Sequence, residues 1–258
     1  MADIHSEKAQ RQHTAAGLTI FCGLMVLLIA ALVSLGIWQV ERLSWKEDLI
    51  ARVDQRVHAE PVPAPARAQW GEVSRANDEY RHVTAEGILQ NDKETLIYAS
   101  TALGPGYWVI TPLNLSNGTS ILINRGFVPT DKRDAATRGD GQVPSVKITG
   151  LLRITEPKGT LIKSNDPAND RWYSRDVAAI ADRRNVADVA PYFIDADATP
   201  NPGGLPVGGL TQIAFPNNHL VYAITWLALA IMASGLLAFV VRSELRARRA
   251  DQTALLRG

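Results

Sequence analysis

Thiols are almost absent from this 258-residue chain: Cys22 is its only cysteine, so no disulfide can form within it. Thioethers are nearly as scarce. Beyond Met1 there are only Met25 and Met232, and a carrier of soft copper would need thiolate or thioether clusters; copper delivery is excluded as this chain's own chemistry. Hydrolytic and nucleotide signatures are missing as well. No Gly-x-Ser-x-Gly, His-Glu-x-x-His or Cys-x-x-Cys occurs, and no Gly-rich loop closes on a lysine. The five histidines (His5, His13, His58, His82 and His219) share no metal-ligand spacing. A net charge of +1 leaves no electrostatic footprint for a nucleic acid.

Charge itself is absent from two stretches, Gly17–Val40 and Leu220–Val241. Each exceeds the roughly 20 apolar residues that cross a hydrocarbon core as a helix, so two transmembrane helices are expected, over 17–40 and 219–241. The first is too long for the apolar region of a cleaved signal peptide and lacks a small-x-small site, which makes it a retained anchor. Five arginines (Arg242, Arg246, Arg248, Arg249 and Arg257) follow the second run against Glu244 and Asp251, whereas Ala198–His219 holds no Lys or Arg. The positive-inside rule then places the tail 242–258 in the cytoplasm, and with it the tail 1–16. Residues 41–218 lie on the other side: the periplasm of a bacterium, or an intermembrane space. No Arg- and Ser-rich leader precedes the first run, which favours a bacterial inner membrane.

The external segment mixes 20 Lys and Arg with 22 Asp and Glu and suits one compact domain. After the first span the helix continues to about residue 58, aligning Trp38, Arg42, Trp45 and Leu49 on one stripe, and Pro61-Val62-Pro63-Ala64-Pro65 ends it as a linker. Strands are expected at Tyr80–Leu89, Thr95–Ser100, Tyr107–Leu115, Ser120–Val128, Val146–Ile154 and Tyr192–Ala196, with a helix at Asp176–Val186. Gly104-Pro105-Gly106 reads as a turn. Asn117-Gly118 reads as a two-residue type I′ hairpin turn. Together these predict a membrane protein in which two transmembrane helices flank an α+β domain dominated by antiparallel strands, barrel- or sandwich-like, with one or two helices.

Candidate residues gather at the membrane mouths. On the second helix His219, Tyr222 and Trp226 are spaced for a single face, and Trp38 and Gln39 sit at the same leaflet on the first. Ala30 with Ser34, and Ala230 with Ser234 and Ala238, offer small-xxx-small steps for close helix packing. Neutral imidazole at His219 is a form that ligates iron; the same residues also suit an ordinary interfacial belt. Arg125, in Asn124-Arg125-Gly126-Phe127-Val128-Pro129, fits either a strand ending at a glycine bulge or a fork for a carboxylate or an acidic partner. Asp195 and Asp197 read as a solvated strand end. His82 reads as an ordinary hydrogen-bonded strand histidine.

Four patches carry a resemblance: Leu35-Gly36-Ile37-Trp38-Gln39-Val40-Glu41-Arg42-Leu43-Ser44-Trp45-Lys46, Ile123 to Pro129, Trp172-Tyr173-Ser174 through Pro191-Tyr192-Phe193-Ile194-Asp195, and Asn217-Asn218-His219-Leu220-Val221-Tyr222-Ala223-Ile224-Thr225-Trp226. In this order and spacing, across residues 35–241, the chain resembles the Surfeit locus protein 1 family, assembly factors for haem-copper cytochrome oxidases. Phe127 departs from a pattern that often has Trp there. The resemblance implies a two-span protein, without enzymatic activity, that helps mature the haem-a-containing catalytic subunit of cytochrome c oxidase, alongside haem a synthesis proteins. It implies haem a as a transient cofactor, with its iron on His219 and with Tyr222, Trp226 and Trp38 lining the site; no other metal is expected. Arg42, Trp45 and Arg125 are the expected partner-binding residues. The alternative is a structural scaffold that steadies nascent oxidase subunits without binding haem.

Overall fold

A computed structural model of the chain describes residues 2–138, 145–157, 159–160, 163–211, 213 and 215–255. In chain order come α1 (Ala2–His58), β1 (Val62–Pro63), α2 (Arg75–Asp78), β2 (His82–Leu89), β3 (Thr95–Thr101), β4 (Gly104–Leu115), β5 (Ser120–Pro129), β6 (Val146–Ile154), α3 (Val177–Arg183), β7 (Val189–Ala196) and α4 (His219–Leu255), with short 3-10 turns between them. Two compact units result: Met1–Ile50 with Phe215–Gly258, and Ala51–Ala214.

In the first unit both long helices are apolar and long enough to cross a membrane. Their seam is narrow. Among the described residues of this unit the buried positions are Leu32, Gly36 and Gln39 on α1 and Ala223 and Ala230 on α4. Gly36 permits the close approach, because a Cβ there would stand 3.0 Å from Leu227 Cδ2. The small residues that sequence spacing selects on α1 are not at this seam. Ala30 and Ser34 face outward, and the Ser34 hydroxyl donates to the Ala30 carbonyl one turn back. Ser234 does the same to Ala230. A hydroxyl can satisfy itself on its own helix, so small-residue spacing alone does not choose the face.

In the second unit the sheet runs β1-β2-β6-β7-β5-β4-β3, and β2 also pairs with β4. Five strands thereby close into a barrel, sealed where Gly87, Ile88 and Leu89 oppose Leu115, Asn114 and Leu113. Closure removes the edges of an antiparallel sheet. The ladders are antiparallel except β5–β7 and the two-residue β1–β2 pair, so the proline-rich segment read as a linker also contributes a strand.

Side-chain alternation builds two cores. Val83, Leu113, Ile121, Ile123, Leu152, Tyr192 and Ile194, from all five barrel strands, fill one. Leu122 and Phe193 point the other way and join Ile97, Ile110, Trp172, Val177 and Ile180 beneath α3. Because β5 has a core on each side, it is buried continuously from Ser120 to Val128, and its Ile121-Leu122-Ile123 stretch is apolar without alternation. The Asp176 side chain accepts from the Ala179 amide and caps α3.

Two turn readings are corrected. The β4–β5 loop is not a two-residue type I′ turn: Leu115 pairs with Thr119 around a three-residue loop, and Gly118, with φ of 82°, takes the left-handed position while Asn117 caps the Thr119 amide. Gly104-Pro105-Gly106 lies inside β4 rather than at a turn. Gly106 is required there by packing, since a Cβ would meet Val128 O at 2.1 Å and the Phe127 ring at 2.6 Å.

Candidate functional site

At the helix seam, His219 opens α4 and is partly buried. Its Nδ1 lies 2.7 Å from Oε1 of Gln39 on α1, and Gln39 is itself only 9% exposed. With the carboxamide oxygen facing the ring, Nδ1 donates and Nε2 keeps its lone pair. A partner on one ring nitrogen fixes the tautomer and aim of the other, which is how protein ligands to iron are oriented. Nearby, Asn217 Oδ1 is buried and has no hydrogen-bond partner among the described residues. Among the described residues no group of three or more His, Cys, Asp or Glu side chains could hold a metal ion, so the one nitrogen this mouth offers to an iron is Nε2 of His219.

The aromatic residues expected around His219 divide. Trp226 is partly buried, with its Cβ beside Gly36, whereas Tyr222 is 54% exposed and Trp38 48%. The spacing of His219, Tyr222 and Trp226 is helical, but the α1-facing stripe is His219, Ala223, Trp226 and Ala230, which puts Tyr222 beside it. The expected juxtamembrane stripe forms a cation–π ladder: the Arg42 guanidinium stands 5.9 Å from the Trp38 ring and 5.4 Å from that of Trp45. Trp45 remains exposed. Lys46 stacks on Phe215, ahead of α4, at 5.3 Å.

Arg125 is the extra residue of a β-bulge, since Val109 opposes Gly126 while Ile110 opposes Asn124. Its side chain is buried and donates to Asn91 Oδ1 at 3.3 Å and to Asn201 Oδ1 at 3.2 Å. It forms part of the wall of a pocket of about 210 Å³ with Lys147, Asp197 and Thr199. The bulge half of the sequence reading is present, with the strand continuing to Pro129.

Asp195 corrects the reading of a solvated strand end. It is 3% exposed and accepts from Arg153 at 2.8 Å, Asn124 at 2.8 Å, Thr211 at 3.1 Å and Arg175 at 3.3 Å. Arg153 also reaches Glu79 at 2.8 Å, and Arg175 grips Glu156 with a pair of bonds at 2.6 and 3.0 Å. Both guanidiniums lie against the Phe193 ring. Burial opposes the charge on Arg153, yet Asp195 and Glu79 outweigh it and hold its pKa above the usual value. Sequence reasoning missed this network, and it placed Gln39 at the leaflet of His219 without giving it a role. An arginine inside the apolar strand Leu151-Leu152-Arg153-Ile154 was the available signal for the first; the second had none beyond its position.

Known proteins add to this geometry. Residues 26–231 match the model of the SURF1 family. Among curated proteins, Surfeit locus protein 1 of Rattus norvegicus is 37% identical over 227 residues, covering 81% of this chain and 72% of the relative. The Homo sapiens protein of the same name is 35% identical over 248 residues, 89% of this chain and 80% of its own length. A SURF1-like protein of Monosiga brevicollis is 34% identical over 223 residues, with 81% and 82% covered.

Proposed function

The chain belongs to the SURF1 family, and on that premise we propose that it is an assembly factor for haem-copper cytochrome c oxidase that receives haem a at His219 and passes it to the catalytic subunit. The reading rests on one observation above the others: Gln39 holds Nδ1 of His219 and leaves Nε2 available. Haem a is cargo here, supplying the iron that a neutral imidazole takes. His219 is the ligand, Gln39 aims it, and Trp38, Tyr222 and Trp226 offer rings to a flat apolar macrocycle. Arg42 and Trp45 are the proposed contacts to the oxidase subunit, with Arg125 shaping the bulge that carries its neighbours; haem a synthesis proteins are the source of the cargo. No bond in a substrate is broken, so the protein acts without catalysis. The proposed location is a bacterial inner membrane, with residues 1–16 and 242–258 in the cytoplasm, spans at 17–40 and 219–241, and residues 41–218 in the periplasm.

Expression together with haem a synthesis, purification in detergent and a visible spectrum test the reading. The wild type is expected to carry haem, His219→Ala to lose it, and Gln39→Leu to hold less with a shifted Soret band. Equal haem in wild type and His219→Ala, or none in either, defeats it. The exposed Trp45 on its arginine ladder favours a second reading, a scaffold that grips nascent subunits without haem. In that case Arg42→Ala and Trp45→Ala abolish co-purification of the oxidase subunit, while His219→Ala leaves its haem content intact.

A further inference from the structure

A second feature lies on the barrel unit and shares no residue with the His219 mouth. On the β3–β4 hairpin Tyr98 and Tyr107 oppose each other across the strands with their rings edge to face at 6.0 Å, and Tyr173 leans on Tyr98 at 6.4 Å. Three cations accompany the rings. Lys163 Nζ lies 5.8 Å from the Tyr98 ring and 5.1 Å from that of Tyr173, and the Arg133 guanidinium lies 5.4 Å from Tyr107. Arg171 lines the same groove, whose volume is about 430 Å³. Among the described residues its one lining carboxylate, Asp170, is already engaged by Arg184 at 2.7 Å and by the Trp172 indole at 2.7 Å. Tyr98 is nonetheless 48% exposed.

We propose that this groove is a docking site for an acidic segment of a partner protein, with Tyr98, Tyr107 and Tyr173 as its floor and Arg133, Lys163 and Arg171 as its charge contacts. Tyrosine and arginine are the residue types that dominate binding energy at protein interfaces, because they bring large area at small entropic cost. Stacking holds Arg133 and Lys163 in place beforehand, so less side-chain freedom is lost on binding. Arg133 and Arg171 in the lining, with Lys163 beside the Tyr98 and Tyr173 rings, select a carboxylate-bearing occupant. The groove shape selects a protruding chain over a bilayer surface, which would attract exposed cations without using the rings. The occupant rests on side chains rather than extending the sheet, since the middle of the outer edge of β3 is already bonded, from the Tyr98 amide to the Trp172 carbonyl at 2.9 Å. The site requires neither haem nor His219.

The test uses the full-length protein in cells that assemble the oxidase, with the photo-crosslinking residue p-benzoylphenylalanine placed at Asn169 in the groove or, as a control, at exposed Ile88. The expected adduct from Asn169 maps by mass spectrometry to a net-acidic segment of another protein and is missing from Ile88. Arg133→Gln combined with Lys163→Gln, with an unchanged thermal transition, should lower its yield at least about five-fold, equivalent to ~1 kcal/mol. Tyr98→Ser should lower it similarly through the rings alone. Adducts only to lipid, to a neutral or basic segment, or equally from both positions overturn the proposal, as does a yield that neither substitution changes.

Discussion

Asp195 and Asp197 are two residues apart and would share a face of one strand, but β7 ends at Ala196 and only Asp195 lies within it. Asp195 points toward Arg153 and Arg175 and is buried; Asp197 sits past the end of β7, where its carboxylate accepts from the Thr199 amide. Removing one member of a buried ion network leaves the others desolvated and short of a partner. Asp195→Ala is therefore expected to cost about 3–5 kcal/mol of stability, while Asp197→Ala loses one local hydrogen bond worth about 1 kcal/mol. Denaturant midpoints of the two variants check this, and equal losses would refute the distinction. At the same scale Gln39 had no sequence signal beyond its position, because a lone carboxamide near a membrane boundary is as much at home in water as in a seam. Only its 2.7 Å contact with His219 separates those cases.

Elements carry a different lesson. Most strands, and α3, are readable from apolar alternation, β-branched runs and punctuation, and the structure places them within a few residues of expectation. Turn types are less readable, since Asn-Gly suits both a two-residue and a three-residue loop, and register with the partner strand decides between them. The bulge at Arg125–Gly126 is another case. Gly126 has φ of 129°, and a Cβ there would stand 2.1 Å from Val207 O. That close approach lets Phe127 and Val207 exchange two backbone hydrogen bonds of 2.9 Å. Gly126→Ala is expected to cost ~1–3 kcal/mol in backbone strain alone and to accelerate hydrogen exchange at the Phe127 and Val207 amides. Unchanged protection at both would show that the segment accommodates the methyl.

At the scale of the whole molecule, two units divide the work: a pair of apolar helices, and a closed five-stranded barrel with its own cores. Charge distribution along the chain supplies a topology prediction that needs no tertiary contact. Four arginines, Arg242, Arg246, Arg248 and Arg249, follow the apolar part of α4, and each positive charge favours the cytoplasmic side. A membrane-impermeant thiol reagent should therefore label a Cys22→Ser protein carrying Ser116→Cys in intact spheroplasts. The same reagent should spare one carrying Ser243→Cys until the membrane is opened. The reverse pattern would invert the proposed orientation.

From sequence alone came the two apolar helices, the strand inventory, the family resemblance and the choice of His219, because composition, periodicity and short motifs are local properties written along the chain. Tertiary structure alone decided that β2 and β4 seal the barrel, that Gly36 and Leu32 rather than Ala30 and Ser34 make the helix seam, and that Asp195 is the hub of a buried network. It also joined Gln39 to His219 across 180 positions and gathered Tyr98, Tyr107 and Tyr173 into one groove. These depend on which faces meet. A helix or strand pattern specifies that a face is apolar, but its partner emerges only when all faces compete at once for the same buried space.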